Sequence, residues 1–149
     1  MQPRKTLRSD ALQVIEACAG WNSRLASRRI TQFLEKRMTA SGLTIVQFGL
    51  MAQIAAASDD TLGSLAERLG FDQSSLSRNL HVLERDGLVE IAIVECDQRR
   101  RAVWLTENGA RRLEVAMPVW RSAHAALQEV LDPKLARRLA VAAQALIGG

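Results

Sequence analysis

The spacing of apolar side chains changes from helical to strand-like between Thr61 and Thr106, and this change predicts the central unit of the chain. The stretches TLGSLAERLG and DQSSLSRNLHVLERDG repeat apolar residues every three or four positions, as the buried face of a helix does. Thr61 and Asp72 are suited to cap these helices, and Gly70 and Gly87 to stop them. LVEIAIV then has the pattern of a strand, ECDQRRR that of a polar turn, and AVWLT that of a returning strand. The pattern predicts a helix–turn–helix followed by a β-hairpin wing.

The second predicted helix carries a polar face opposite Leu76, Leu80 and Leu83. A helix–turn–helix inserts such a face into the DNA major groove, where base edges present donors and acceptors. A merely solvated helix face is the alternative, and the wing that follows favours DNA contact. Arg78 is the best candidate for reading bases because a guanidinium can address guanine bidentately, whereas Gln73 and the serines suit phosphate or local contacts. The predicted DNA contacts on this helix are Gln73, Ser74, Ser75, Ser77, Arg78 and His81.

The tip of the predicted wing carries consecutive arginines, Arg99, Arg100 and Arg101. A hairpin next to a helix–turn–helix can place such side chains beside phosphates or in the minor groove. The alternative is a tip that is stabilised by pairing of Asp97 with Arg99 or Arg101. The residues alone leave both interpretations open.

Amphipathic helices are predicted before this unit. An apolar stripe predicts one long helix from Ser9 to about Met38, which Gly20 interrupts at a cost of about 1 kcal/mol relative to alanine. Thr44 is suited to cap a following helix, TIVQFGLMAQIAAA. The residues of that helix expected in the core beneath the unit are Ile45, Phe48, Leu50, Met51 and Ile54.

Two further helices are predicted after the wing. Thr106 is suited to cap the first, which contains Pro118, and a proline inside a helix bends it or removes a backbone hydrogen bond. Asp132 and Pro133 provide a cap and a first-turn proline for the last helix. The terminal helices are too apolar for a small unit to cover, which indicates that they pair with a second copy of the chain.

The predicted fold is mainly α with a small β-hairpin wing, in one domain over residues 1–149. Residues from about 44 to 106 form a winged helix–turn–helix DNA-binding region. Residues from about 9 to 38 and from 107 to 149 form the dimerisation helices.

The segments LAERLGFDQSSLSRNLHVLERDGLVE and DQRRRAVWLTENG resemble the MarR family of bacterial transcription regulators, and the order of elements matches from about Leu12 onward. The resemblance implies a homodimer that binds double-stranded DNA at a palindromic operator and acts as a repressor. It implies release by a small aromatic or carboxylate ligand, or by oxidation. It also implies that Asp97 and Arg101 brace the wing while Arg99 or Arg100 reaches DNA.

The charge distribution limits how much composition says about DNA. The net charge is +4 and the isoelectric point about 9.8. Residues 1–37 hold eight basic and three acidic side chains, and residues 38–149 hold twelve and thirteen, so the excess lies outside the predicted reading unit. That unit must depend on the placement of a few arginines. No apolar run reaches membrane-spanning length and no signal core precedes the first helix, so we expect a cytoplasmic protein without a membrane partner.

Cys18 is placed near the start of the first helix, where some relatives carry a peroxide-sensing cysteine. Those relatives surround the thiol with tyrosines, and this sequence contains no tyrosine. We therefore expect Cys18 to be a buried structural residue. A thiol-based redox sensor is the alternative function.

The tryptophans suggest a place for a ligand. Trp21 and Trp120 could line an effector pocket in which Arg24 or His124 holds a carboxylate. The alternative, which we favour, is that these tryptophans fill the core where helices cross. Trp104 is expected to pack against the head.

The sequence motifs do not indicate an enzyme. The two histidines and two cysteines lack metal-ligand or disulfide-framework spacing, the glycines form no phosphate loop, and no serine sits in a nucleophile elbow. We expect no catalytic residues, metal or cofactor. A ligand-binding protein that has lost DNA binding is the remaining alternative.

Overall fold

A computed structural model describes the backbone of residues 5–57, 61–94 and 97–147, and their side chains except those of residues 5, 94 and 97–100. Helices and one hairpin follow each other in the predicted order. The elements are α1 (Lys5–Ala17), α2 (Ala19–Met38), a 3-10 turn (Thr39–Ser41), α3 (Ile45–Ala56), α4 (Leu62–Leu69), α5 (Gln73–Arg85), β1 (Val89–Val94), β2 (Asp97–Leu105), α6 (Glu107–Gln128), α7 (Pro133–Ala143) and a final 3-10 turn (Gln144–Leu146). We call α3 to β2 the head and the helices α1, α2, α6 and α7 the stalk.

The predicted caps hold the helices of the head in register. Thr61 Oγ1 accepts from Ser64 N at 3.4 Å, and Asp72 Oδ1 accepts from Ser75 N at 2.7 Å. Each bond satisfies an amide that the helix itself leaves without a partner. Gly70 ends α4 in the left-handed region at φ 65°. The sequence prediction of both helices and of the turn between them is confirmed.

The core lies beneath α5 and joins it to α3, α6 and the hairpin. Leu83 and Met51 are completely buried, and Leu76, Leu80 and Phe48 are at most 5% exposed. The leucine face of α5 therefore points inward, as its spacing predicts. Its polar face is left on the surface.

The hairpin differs from the prediction in where its second strand begins. β2 starts at Asp97, so the polar stretch that reads as a turn supplies strand residues. Ile93 pairs with Arg101 and Val94 with Asp97, and the register shift between these pairs accommodates residues 98–100. Backbone pairing in a projecting hairpin needs no apolar side chain, which is why polarity alone misplaced the turn.

The prediction of one long N-terminal helix is also corrected. The structure has two helices there, α1 and α2, and the break between them lies at Cys18 rather than at Gly20. Cys18 has φ −67° and ψ 111°, yet its N–H still donates to Val14 O and its carbonyl accepts from Asn22 N. The Asn22 side-chain amide donates to Glu16 O at 3.0 Å. The break therefore leaves few backbone groups without a partner, so no glycine or proline is required to produce it.

The stalk is much less covered than the head. α2 packs on α6 around the buried residues Leu34, Ala123 and Leu127. By contrast, α7 contains no buried residue, and every residue of α1 whose side chain is described is exposed.

Membrane-spanning segments were considered for the described residues. None of their helices is by itself long and apolar enough to cross a bilayer, and the bent pair Ala19–Ser41 and Ile45–Ala56 passes only by combined length and composition.

Candidate nucleic-acid interface

An open groove of about 890 Å³ runs between α4, α5 and the hairpin. Its floor is apolar and contains Leu76, Leu80 and Ile91. Thr61 and Gly63 at the start of α4 form part of its rim, and Arg101 of β2 lines it from the hairpin. The groove is therefore a concave surface with polar edges on a rigid base.

Four of the predicted contacts on α5 line this groove together. They share one side of the helix, because residues four apart lie on the same face. The structure brings these side chains and Arg101 of the hairpin to one surface. They are Gln73, Ser74, Ser77 and His81.

Ser75 and Arg78 occupy a different side of α5. The Ser75 hydroxyl donates to Asp72 Oδ2 at 3.2 Å and accepts from Arg78 Nη2 at 3.3 Å. Ser75 is half-buried and committed to the N-cap, whereas Arg78 is exposed and lies outside the groove lining. The base-reading candidate Arg78 is thus held toward the N-terminal end of α5.

Hydrogen bonds keep the capping carboxylate ionised. The backbone N–H of Ser75, followed by its hydroxyl, lowers the pKa of Asp72 below its ordinary value of 3.8, and the positive charge of Arg78 acts in the same direction. The cap therefore remains charged at neutral pH and continues to attract Arg78.

Glu84 is a groove residue that the sequence interpretation missed. It lines the groove with Ser77 and His81, which precede it by seven and three positions on the same face of α5. That spacing could have identified it. A carboxylate accepts hydrogen bonds but repels phosphates, so at this position the groove favours hydrogen-bond donors over phosphates.

The wing residues are described only in part. The side chain of Arg101 is exposed and borders the groove. The side chains of Asp97, Arg99 and Arg100 lie outside the described set, so the bracing of the tip by Asp97 stays a prediction.

The expectation that Cys18 is buried is wrong for the single chain, because its side chain is exposed. Cys18 lies between α1 and α2, and the apolar pattern around it gave no sign of its exposure.

The predicted effector residues are only partly brought together. Trp120 stacks on Phe48 at 5.9 Å and on His124 at 4.8 Å between ring centroids, so it fills the helix crossing as expected. Trp21 is 61% exposed and Arg24 is exposed as well. Neither the groove nor a smaller cavity of about 260 Å³ is lined by any of these four predicted residues. Trp104 is 40% exposed and therefore only partly covered, so its packing against the head stays a prediction.

Metal-ligating side chains do not cluster in the described part of the chain. No group of three or more histidine, cysteine, aspartate or glutamate residues there could hold an ion.

Comparison with known proteins decides the family. The transcriptional regulator MosR of M. tuberculosis, solved in complex with DNA, is 34% identical to this chain, with a TM-score of 0.77 and with 88% of this chain and 97% of that chain covered. The MarR family model matches residues 41–100, which span α3, the helix–turn–helix and most of the hairpin. This chain belongs to the MarR family. The family is one of transcriptional regulators and not of enzymes.

More distant members of the family share the fold. A mutant of E. coli MarR complexed with operator DNA is 23% identical, with a TM-score of 0.73 and with 89% of this chain and 96% of that chain covered. The S. aureus MepR–DNA complex is 18% identical, with a TM-score of 0.68 and with 87% and 96% covered. No curated protein matches the sequence. The MarR arrangement of head and stalk is thus retained at low sequence identity.

Proposed function

We propose that this MarR-family protein is a homodimeric, sequence-specific DNA-binding repressor of transcription that acts in the cytoplasm. The observation that carries the proposal is the polar edge of α5, which faces a groove bordered on its other side by Arg101. A rigid leucine core supports this edge, so its donors and acceptors are presented in a fixed order. Such an order is what reading a base sequence requires.

The proposed DNA contacts are of two kinds, contacts of α5 with bases and contacts of the wing with phosphates or the minor groove. Ser77 and His81 offer short donors and acceptors suited to base edges, and Arg78 adds a guanidinium that is held against Ser75. The wing arginines, including Arg101, carry charge toward the phosphates or the minor groove. Bases would therefore be read by α5, while the wing would supply affinity that is independent of sequence.

The exposed apolar residues of the stalk support a dimer. Leu12 and Ile15 on α1 are 55% and 60% exposed, and Leu135 and Leu139 on α7 are 53% and 55% exposed. Isolated apolar residues are normal on a surface, but stripes on two terminal helices mark an interface. A second copy of this chain is the partner that a two-fold operator requires, since symmetry would set two α5 helices about one DNA turn apart.

Relief of repression by a small aromatic or carboxylate ligand belongs to the same proposal. Membership of the MarR family supports it, whereas neither cavity described above is lined by Trp120 or His124, whose rings stack at the helix crossing. A thermal-shift screen would find such a ligand, since binding to the native state alone raises the melting temperature.

The test of sequence-specific binding compares matched substitutions on selected and scrambled DNA. Duplexes selected by the wild type from a random pool are titrated at several salt concentrations, beside scrambled versions. We expect His81→Ala to reduce the ratio of specific to non-specific affinity by about tenfold, with little change on scrambled DNA. Arg101→Ala should weaken binding to both and lower the salt slope by about one unit.

A control and a contrary outcome complete this test. Arg111 is an exposed arginine of α6 that pairs with Glu107 at 3.2 Å and lies outside the groove. Arg111→Ala should leave both affinities unchanged. A wild type that binds selected and scrambled duplexes equally would refute sequence-specific binding.

A further inference from the structure

The connection between α2 and α3 is a tight elbow, residues 38–45, that links the stalk to the head. Ser41 is buried, and its hydroxyl donates to Met38 O at 2.6 Å and accepts from Leu43 N at 3.1 Å. Gly42 takes the left-handed conformation at φ 72°. These contacts fix the path of the elbow itself. The orientation of the head relative to the stalk therefore depends on the contacts that flank the elbow.

Glu35 crosses the elbow from the stalk. Its Oε2 accepts a hydrogen bond from the backbone N–H of Ile45 at 3.0 Å. Ile45 is the first residue of α3, whose local cap is already complete: Thr44 accepts from Gln47 N, and Gln47 Oε1 accepts from Thr44 N. The bond from Glu35 is therefore a tertiary contact that ties α2 to the positive end of α3.

Two other contacts hold the elbow at the same place. Arg112 of α6 donates from Nη2 to Gly42 O at 3.3 Å. The side chain of Ile45 packs against both the head core and the stalk cluster of Leu34 and Ala123. The half-buried carboxylate of Glu35 is thus the acidic member of a junction at which α2 and α6 contact the head.

We propose that Glu35 is a positioning residue that fixes the angle of the head on the stalk and thereby selects the spacing of the two DNA half-sites. The proposal rests on the homodimeric DNA-binding function proposed above. Ile45 packs against the same head core as the leucines of α5, so a rotation of the head at Ile45 also moves α5. One base pair is only about 3.4 Å along the DNA, so such displacements change which spacing fits.

The experiment measures affinity on a selected operator and on versions with one base pair added or removed between the half-sites. The wild type should prefer one spacing. Glu35→Ala should reduce this preference by about tenfold, since a hydrogen bond to a charged group is lost. Glu35→Gln keeps an acceptor oxygen and should retain most of the preference. Gln32→Ala, an exposed change one turn earlier on α2, should leave it unchanged.

A DNA-free measurement tests the same geometry in the folded dimer. A spin label is attached through Arg85→Cys at the end of α5, in a Cys18→Ser, Cys96→Ser background. The distribution of distances between the two labels should be broader in Glu35→Ala than in Glu35→Gln. Arg112→Ala, which removes the weaker contact on the other side of the elbow, should broaden it to a smaller extent.

The outcomes separate this inference from the function on which it rests. A monomeric wild type, or one that binds all sequences alike, would refute the proposed function. A dimeric, sequence-specific wild type whose Glu35→Ala variant loses affinity equally at every spacing would show that Glu35 only stabilises the fold. An unchanged label distance in that variant would overturn the inference in the same way.

Discussion

The head and the stalk both repeat leucines at helical spacing, but they use them differently. Leu83 of α5 is completely buried, whereas Leu139 of α7 is 55% exposed. In the head, residues of α3, α4, α5 and both strands form one core, so most of their apolar side chains are covered within the same chain. On the stalk, no described residue of α1 or α7 is buried. Periodicity therefore identifies which residues share a face, and the rest of the assembly decides what covers it.

The largest expected effects come from truncating matched leucines in the two regions. Leu83→Ala should lower the free energy of unfolding by about 4 kcal/mol, because it removes buried methyl groups and leaves a cavity. Leu139→Ala should instead weaken self-association by about tenfold or more, because its side chain would be buried only between two chains. Urea unfolding measures the first effect and sedimentation equilibrium the second.

The contrast between the two leucines can fail in two ways. If Leu139→Ala destabilises a chain that sediments as a monomer, α7 is covered by its own chain. If the wild type itself is a monomer at micromolar concentration, the exposed stripes of the stalk have another purpose.

A smaller effect is expected where the head meets the stalk. A Cβ on Gly109 of α6 would overlap the carbonyl oxygen of Leu88, which also accepts from Thr106 N at 3.1 Å. Gly109→Ala should therefore cost about 2 to 3 kcal/mol, since backbone has to move. Gly49→Ala is the matched control, because a Cβ there would meet nothing within 4 Å. We expect it to stabilise α3 by about 0.5 to 1 kcal/mol in thermal unfolding. Equal effects at the two sites would contradict the close approach at Leu88.

The smallest effect is expected at the cap of α5 and depends on pH. The folded-state pKa of Asp72 is below 3.8, mainly because its carboxylate accepts from the backbone N–H of Ser75. A depressed carboxyl pKa adds stability above the unfolded-state pKa, and this stability is lost as the pH falls through the folded value. Asp72→Asn should thus be slightly less stable than the wild type at pH 6. The two should begin to converge as the pH falls below about 4, the ordinary pKa of an aspartate, and should become equal only below the lower folded-state pKa. Urea titrations at both pH values measure this difference, and a gap that persists in acid would argue against the charged cap.

Local chemistry along the sequence determined much of the head. Thr44, Thr61, Asp72 and Thr106 cap the helices that follow them, because each bond closes within three residues. The core faces of α3 and α5 could also be predicted, because residues three or four apart lie on the same side of a helix. The angular position of the groove residues on α5 was also readable, including that of Glu84. The bond between Arg78 and Ser75, three residues apart, lay within the reach of the same argument.

Other features were decided only by the tertiary structure. The register of β2 depends on its pairing with β1, as that of Arg101 with Ile93, and the bond from Arg112 to Gly42 O joins residues 70 positions apart. The exposure of Trp21 depends on where the head core ends, and the bond from Glu35 to Ile45 joins two helices across a turn. A sequence pattern gives the direction of a side chain from its own helix or strand. What that side chain meets is set by residues distant along the chain, because burial and hydrogen bonding are properties of two surfaces together.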